Sequence, residues 1–221
     1  MDRLFREEKG FTVIEIAVVL VIIGLILASV YKVSEVIKNA HIRNLVNQVD
    51  TINQAISNYQ SKYRALPGDD DQATVHLGAA TVNGNGDGRI NVAGAVQEYL
   101  RANQHLALAG FIPGSYDGTA NPITGLIRHK FGGYIYILDV NGVPGVPPVT
   151  PPIIPPFNLR NLQNCRNVIL VTNLPADVAE ALDRILDDGN PNLGRVQASD
   201  VFGAAVLYTP NTTIAYTAVC F

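Results

Sequence analysis

The 221-residue sequence has no tryptophan, a single methionine at its start, two cysteines and four histidines, and aromatic residues make up only 7% of it. His41, His76, His105 and His129 fall at no metal-ligand spacing, and no HExxH, GxSxG or phosphate-binding loop is present. Cys165 lacks the local partner pattern of a catalytic thiol. These gaps argue against an enzyme, including one anchored at a membrane. Charge is sparse as well. Charged residues are 16% of the chain and the formal net charge is -3, so no basic stripe announces nucleic acid. The acidic groups Asp69–Asp71, Asp187 and Asp188 read as solvated faces.

What the sequence does have is one long hydrophobic run. Between Phe11 and Tyr31 the only charge is Glu15, and the rest is almost entirely Val, Ile, Leu, Ala and Gly. About 20 such residues at 1.5 Å each span roughly 30 Å, the thickness of a bilayer core. A backbone in lipid must satisfy its own hydrogen bonds, which predicts a helix. A cleaved secretory signal would be shorter and followed by a small-residue cleavage site, and neither holds here. An ordinary signal anchor would not carry a carboxylate inside its apolar span, where an ionisable side chain is costly and by default functional. Arg3, Arg6 and Lys9 ahead of the run favour keeping that end in the cytoplasm.

The stretch Lys9-Gly10-Phe11-Thr12-Val13-Ile14-Glu15-Ile16, with its hydrophilic leader and apolar continuation, resembles the prepilin signature of type IV pilins and type II secretion pseudopilins. Val13 stands where leucine is more usual. The resemblance implies cleavage between Gly10 and Phe11 by a prepilin peptidase, methylation of the new amine on Phe11, and residence in the inner membrane with the head in the periplasm. Assembly with other pilin-like subunits on an inner-membrane platform would follow, giving an extracellular pilus or a periplasmic pseudopilus. Glu15 would serve as a register contact, pairing with a neighbour's terminal amine. Many major pilins kink this helix with a proline that is missing around Ser29-Val30-Tyr31-Lys32. That departure favours a minor or accessory subunit. A secretion pseudopilin is the alternative, and a filament-presented adhesin or binding module is the alternative of another class.

Beyond the span, Val33, Val36, Ile37, Ala40, Leu45, Val49, Ile52, Ile56, Tyr59 and Tyr63 recur almost throughout at steps of three and four. One helix from Phe11 to about Tyr63 is therefore expected, some 80 Å long at 1.5 Å per residue. A free coiled coil is the competing reading, opposed by few flanking charges and frequent Asn. Leu66-Pro67-Gly68 ends the helix. The expected domains are a leader 1–10, a membrane and assembly half 11–31, an amphipathic half 32–63, and a globular head 64–221.

The head reads as α+β, pilin-like, with an antiparallel sheet laid on the long helix so that Leu45, Val49, Ile52 and Ile56 are buried. Helices are predicted at 95–109 and 175–188, and strands at 133–139, 168–172, 204–208 and 213–219, the last two as a hairpin. The seven prolines between Val143 and Phe157 predict an extended surface loop, or else a docking strip. Cys165 and Cys220, an even pair on the periplasmic side, read as one disulfide, with a free thiol pair as the alternative.

Asn83-Gly-Asn85-Gly-Asp87-Gly88-Arg89-Ile90-Asn91 alternates side-chain oxygens as the first half of a calcium loop does. The closing glutamate of an EF-hand would fall on Gly94, so that motif fails. An irregular calcium site at Asn83, Asn85, Asp87, Arg89 and Asn91, completed by Asp69–Asp71 or Glu98, remains beside the plainer reading of an Asn-Gly surface turn. Calcium is the only cofactor suggested.

Overall fold

The computed structural model describes residues 10–92, 97–121, 123–140, 165–199 and 206–221, with backbone alone at 29–32. The Pro-rich stretch 143–157 and leader residues 1–9 lie outside the described residues. Two compact units are present, one ending at His41 and one running from Ile42 to Phe221. Helix α1, Val13–Tyr63, contributes to both.

In the first unit the apolar side chains of α1 are exposed, among them Ile14, Leu20 and Leu25. By length and composition this helix is long and apolar enough to cross a membrane. Val33, Val36 and Ile37 are exposed too, so the early part of the amphipathic stripe meets no core among the described residues.

In the second unit the stripe is buried. Ile42, Leu45, Val46, Val49, Ile52, Ile56 and Tyr59 join one hydrophobic core with the strands. Among the described residues the sheet has five antiparallel strands in the order β1-β2-β3-β5-β4: β1 Ile127–Arg128, β2 Tyr134–Asp139, β3 Asn167–Pro175, β4 Val196–Ser199 and β5 Thr213–Cys220. In β2, Ile135 to Leu138 are all fully buried, and so are Ile169 to Val171 in β3. Successive side chains point to opposite faces, so both faces of the central strands are covered. That is why these strands are unbroken apolar runs rather than alternating ones.

Among the described residues, three short helices join the sheet: α2 Ala73–Leu77, α3 Glu98–Leu108 and α4 Ala176–Leu186. The second of these ends in a Schellman motif. Phe111 N–H reaches Leu106 C=O at 2.9 Å and Gly110 N–H reaches Ala107 C=O at 3.0 Å, with Gly110 at φ 78°.

The structure departs from the sequence reading at several places. The long helix starts at Val13, not Phe11, because Thr12 caps it. The helix expected at 95–109 is described from Glu98, and that expected at 175–188 is confined to Ala176–Leu186 because Pro175 still belongs to β3. The C-terminal hairpin is corrected. Among the described residues 206–209 are irregular with Leu207 71% exposed, and β5 pairs instead with β4, Val196 opposite Val219 and Ser199 opposite Tyr216. The acidic run is corrected as well: Asp69 and Asp70 are buried, and only Asp71 is exposed.

Candidate functional site

Gly10 and Phe11 precede the first helical residue, and both are exposed, Phe11 at 84%. Thr12 and Glu15 then close a capping box. Glu15 N–H donates to Thr12 Oγ1 at 3.3 Å, while Thr12 N–H and its hydroxyl both donate to Glu15 Oε2, at 2.7 and 2.8 Å. The sequence reading assigned Glu15 to assembly and overlooked Thr12, although T-x-x-E before an apolar run is the signature of this cap.

In the second unit the residues of the suggested calcium loop do not gather round one point. Asn83 Oδ1 accepts from Thr74 N–H at 2.8 Å, in α2. Arg89 reaches away to Asp139, at 2.7 Å. Asn85 and Asn91 donate their amides to Asp87 Oδ2, at 3.3 and 2.9 Å. The carboxylates that do converge are Asp69, Asp87 and Glu98, whose ligand oxygens lie within 4.8 Å of one another. Asp69 Oδ1 and Oδ2 accept the N–H groups of Asp87 and Gly88 at 3.0 and 2.8 Å, and Glu98 accepts those of Asn85 and Asn91 at 2.9 and 2.8 Å.

Two buried carboxylates thus clamp the backbone of the 85–91 loop. Burial raises the carboxyl of Asp69 above the usual range against the pull of its N–H donors, and it does the same to Glu98, which also feels the charges of Asp69 and Asp87. Asp87 is held below the usual range: desolvation is the largest single influence and raises it, but the donors from Asn91, Arg89 and Asn85 together outweigh it. Two glycines let the chains come this close. A Cβ on Gly84 would stand 2.4 Å from the Asp69 carbonyl carbon, and one on Gly68, at φ 90°, would stand 2.4 Å from Glu98 O.

The loop is also stitched to the sheet. Ile90 is fully buried, its N–H donates to Asn167 Oδ1 at 2.9 Å, and its carbonyl accepts from Asp139 N–H at 2.8 Å. Asp139 and Asn167 are themselves partners in the β2–β3 register. Cys165, just before β3, is disulfide-bonded to Cys220 in β5, with Cα atoms 5.8 Å apart.

A polar network lies beside this clamp. Asp70, fully buried, accepts from Tyr59 Oη at 2.7 Å and pairs with His76 Nδ1 at 2.8 Å. Its charge loses solvation by burial, yet those two partners and Gln72 N–H hold its carboxyl below the usual range. Gly68 N–H donates to His105 Nδ1 at 2.9 Å, which leaves the other ring nitrogen, Nε2, as the donor to Thr81 Oγ1 at 3.0 Å. Burial pushes His105 down to about 4, so its imidazole is neutral. His105's partners lie 37 and 24 residues away, and no local signal would have found them. A second acidic group, Asp183, Asp187 and Asp188, is bound up in the same manner: Tyr208 Oη donates to buried Asp183 at 2.8 Å, and Asp187 accepts from Arg195 and Val196 N–H.

Residues 5–31 match the family model described as the prokaryotic N-terminal methylation motif. This is the signature of type IV pilins and pseudopilins, and it falls on the Gly10-Phe11 junction, the Thr12–Glu15 cap and the apolar start of α1. No curated protein and no solved structure matches the chain. The motif points to a pilin-like or pseudopilin structural subunit that is anchored in a membrane before assembly, and it implies other such subunits and the membrane machinery that handles them.

Proposed function

We propose that this chain is a minor or accessory subunit of a type IV pilus-like filament, cleaved between Gly10 and Phe11 by a prepilin peptidase, methylated on the Phe11 amine and polymerised through α1. The observation that carries the reading is the methylation motif over 5–31. Support comes from the junction itself, since a protease needs an accessible, non-helical bond, and Gly10 and Phe11 are exposed ahead of the first helical turn. The minor role rests on the missing proline near Tyr31. Glu15 takes the register role. A carboxylate carried into a packed bundle of apolar helices is strongly unfavourable unless it meets a partner charge.

A pseudopilin of a secretion system carries the same signature and is the second reading. Two measurements test the proposal. Mass spectrometry of the membrane-extracted protein should find N-methylated Phe11 as the first residue, and an intact leader would overturn the processing. Sheared surface filaments should contain the chain. Its absence from them, together with a secretion defect on deletion, would favour the pseudopilin.

A further inference from the structure

The second unit contains an open cleft of about 780 Å³ between the end of α1, the 86–88 loop and the start of β3. That volume falls in the range of small-ligand pockets, roughly 300–1,000 Å³. Its walls carry both signs of charge. Arg64, Arg166 and Gln60 bring N–H donors and Asp71 brings a carboxylate, and none of these four side chains is tied up by a hydrogen bond or ion pair with a described residue. Gly86 and Gly88, at φ 73° and 79°, leave bare backbone in the wall, while Leu66 and Phe221 add apolar surface.

Arg64 supplies an independent sign. It follows the last residue of α1, its N–H closes on Gln60 C=O at 2.9 Å, and its φ is 61°. This is the left-handed position after a helix where glycine is the usual choice. An arginine is strained there, and such strain gathers where a side chain is needed for something other than stability.

The ligand class follows from the inventory. A phosphate would meet the Asp71 carboxylate, and a metal ion would meet two guanidinium groups. A neutral molecule rich in hydroxyls uses donors and acceptors alike, and its C–H face can rest on Leu66 and the Phe221 ring. We propose that this cleft binds a neutral oligosaccharide. The site stands independently of the filament reading, because it lies wholly within 42–221.

The test uses the full chain in a sugar-free detergent such as lauryldimethylamine oxide. Saturation-transfer NMR is recorded with millimolar maltotriose, cellotriose and triacetylchitotriose. At least one should receive saturation from the protein, and both Arg64→Gly and Arg166→Ala should abolish the transfer. Arg64→Gly should meanwhile keep or raise the melting temperature, by roughly 2–4 °C, since glycine relieves the left-handed strain. No transfer to any of the three sugars would overturn the proposal, as would transfer that survives in both variants. A fall in the melting temperature of Arg64→Gly would show the arginine to be a structural residue and would equally overturn it.

Discussion

Thr12 and Glu15 hold each other across the first turn of α1, hydroxyl and amide of one against the carboxylate of the other at 2.7–2.8 Å. Capping within its own helix is one use of this carboxylate, and the proposed pairing in an assembled bundle would be a second. Substitutions separate them. Thr12→Ala removes the cap alone, a loss of about 1 kcal/mol in helix stability, and should leave filament yield near normal. Glu15→Leu should insert in the membrane yet assemble poorly. Equal yields of sheared filaments from the two variants would reduce Glu15 to a cap.

His105 makes the head sensitive to acid, and the sign is fixed by its burial. The folded state holds it near 4 while an unfolded chain takes a proton near the ordinary 6.5. Stability from this group is complete above about 6.5 and is lost as pH falls through 4, up to roughly 3 kcal/mol from a difference of that size. Burial lowers His129 as well, so it adds in the same direction. Urea unfolding of the wild type and of His105→Gln at pH 7 and pH 5 should show a smaller loss in the variant. An equal loss in both would remove His105 as the cause.

Much of the second unit was legible in the sequence where neighbours are local. Leu45, Val49, Ile52 and Ile56 lie at helical spacing, and all four are in the core. Ile135–Leu138 and Val168–Val171 are apolar runs too short for helices, and they are the central strands. What failed is non-local. Of the expected strand 204–208, Ala204 and Ala205 lie outside the described residues; Val206-Leu-Tyr208 has strand composition yet is irregular, and the edge of β5 is taken by Val196–Ser199, so composition lost to tertiary pairing. Asp69 and Asp70 look solvated until distant donors are known, namely Gly88 N–H, Tyr59 and His76. Thr12 differs, because T-x-x-E ahead of an apolar run is a local cap signal.

The Cys165–Cys220 bond closes a separation of 55 residues between the approach to β3 and the end of β5. Opening it with Cys165→Ser and Cys220→Ser should cost about 4 kcal/mol in the chain-entropy account. That global cost quickens exchange everywhere, and a local loosening of the end of β5, no longer tied down, should add to it. Amide exchange should quicken more at Ala218 to Cys220, where β5 meets β3 and β4, than at Ile135–Ile137 in the centre of the sheet. Uniform acceleration across both strands would mean that the bond acts on the unfolded chain alone.

Asp69 and Glu98 pull the pH dependence the other way from His105. Their folded carboxyls are raised, so the stability they contribute is fullest below the ordinary carboxylate range and is lost as pH climbs through their folded values. The clamp on the 85–91 loop brings these two buried carboxyls to Asp87, with ligand oxygens within 4.8 Å of one another. The calcium reading of this loop predicts what a divalent cation would do. Millimolar calcium should raise the melting temperature at pH 7 by several degrees, through binding to the folded state alone. Magnesium should raise it less, because it prefers a tighter, more hydrated shell. Asp69→Asn should lower stability through a lost acceptor, since the N–H of Asp87 or Gly88 is left without its carboxylate oxygen, at a cost of about 1–3 kcal/mol. That variant should also lose the calcium response. A melting temperature unmoved by calcium, with no heat on calorimetric titration of the full chain, would leave Asp69 and Glu98 as backbone clamps and end the calcium reading.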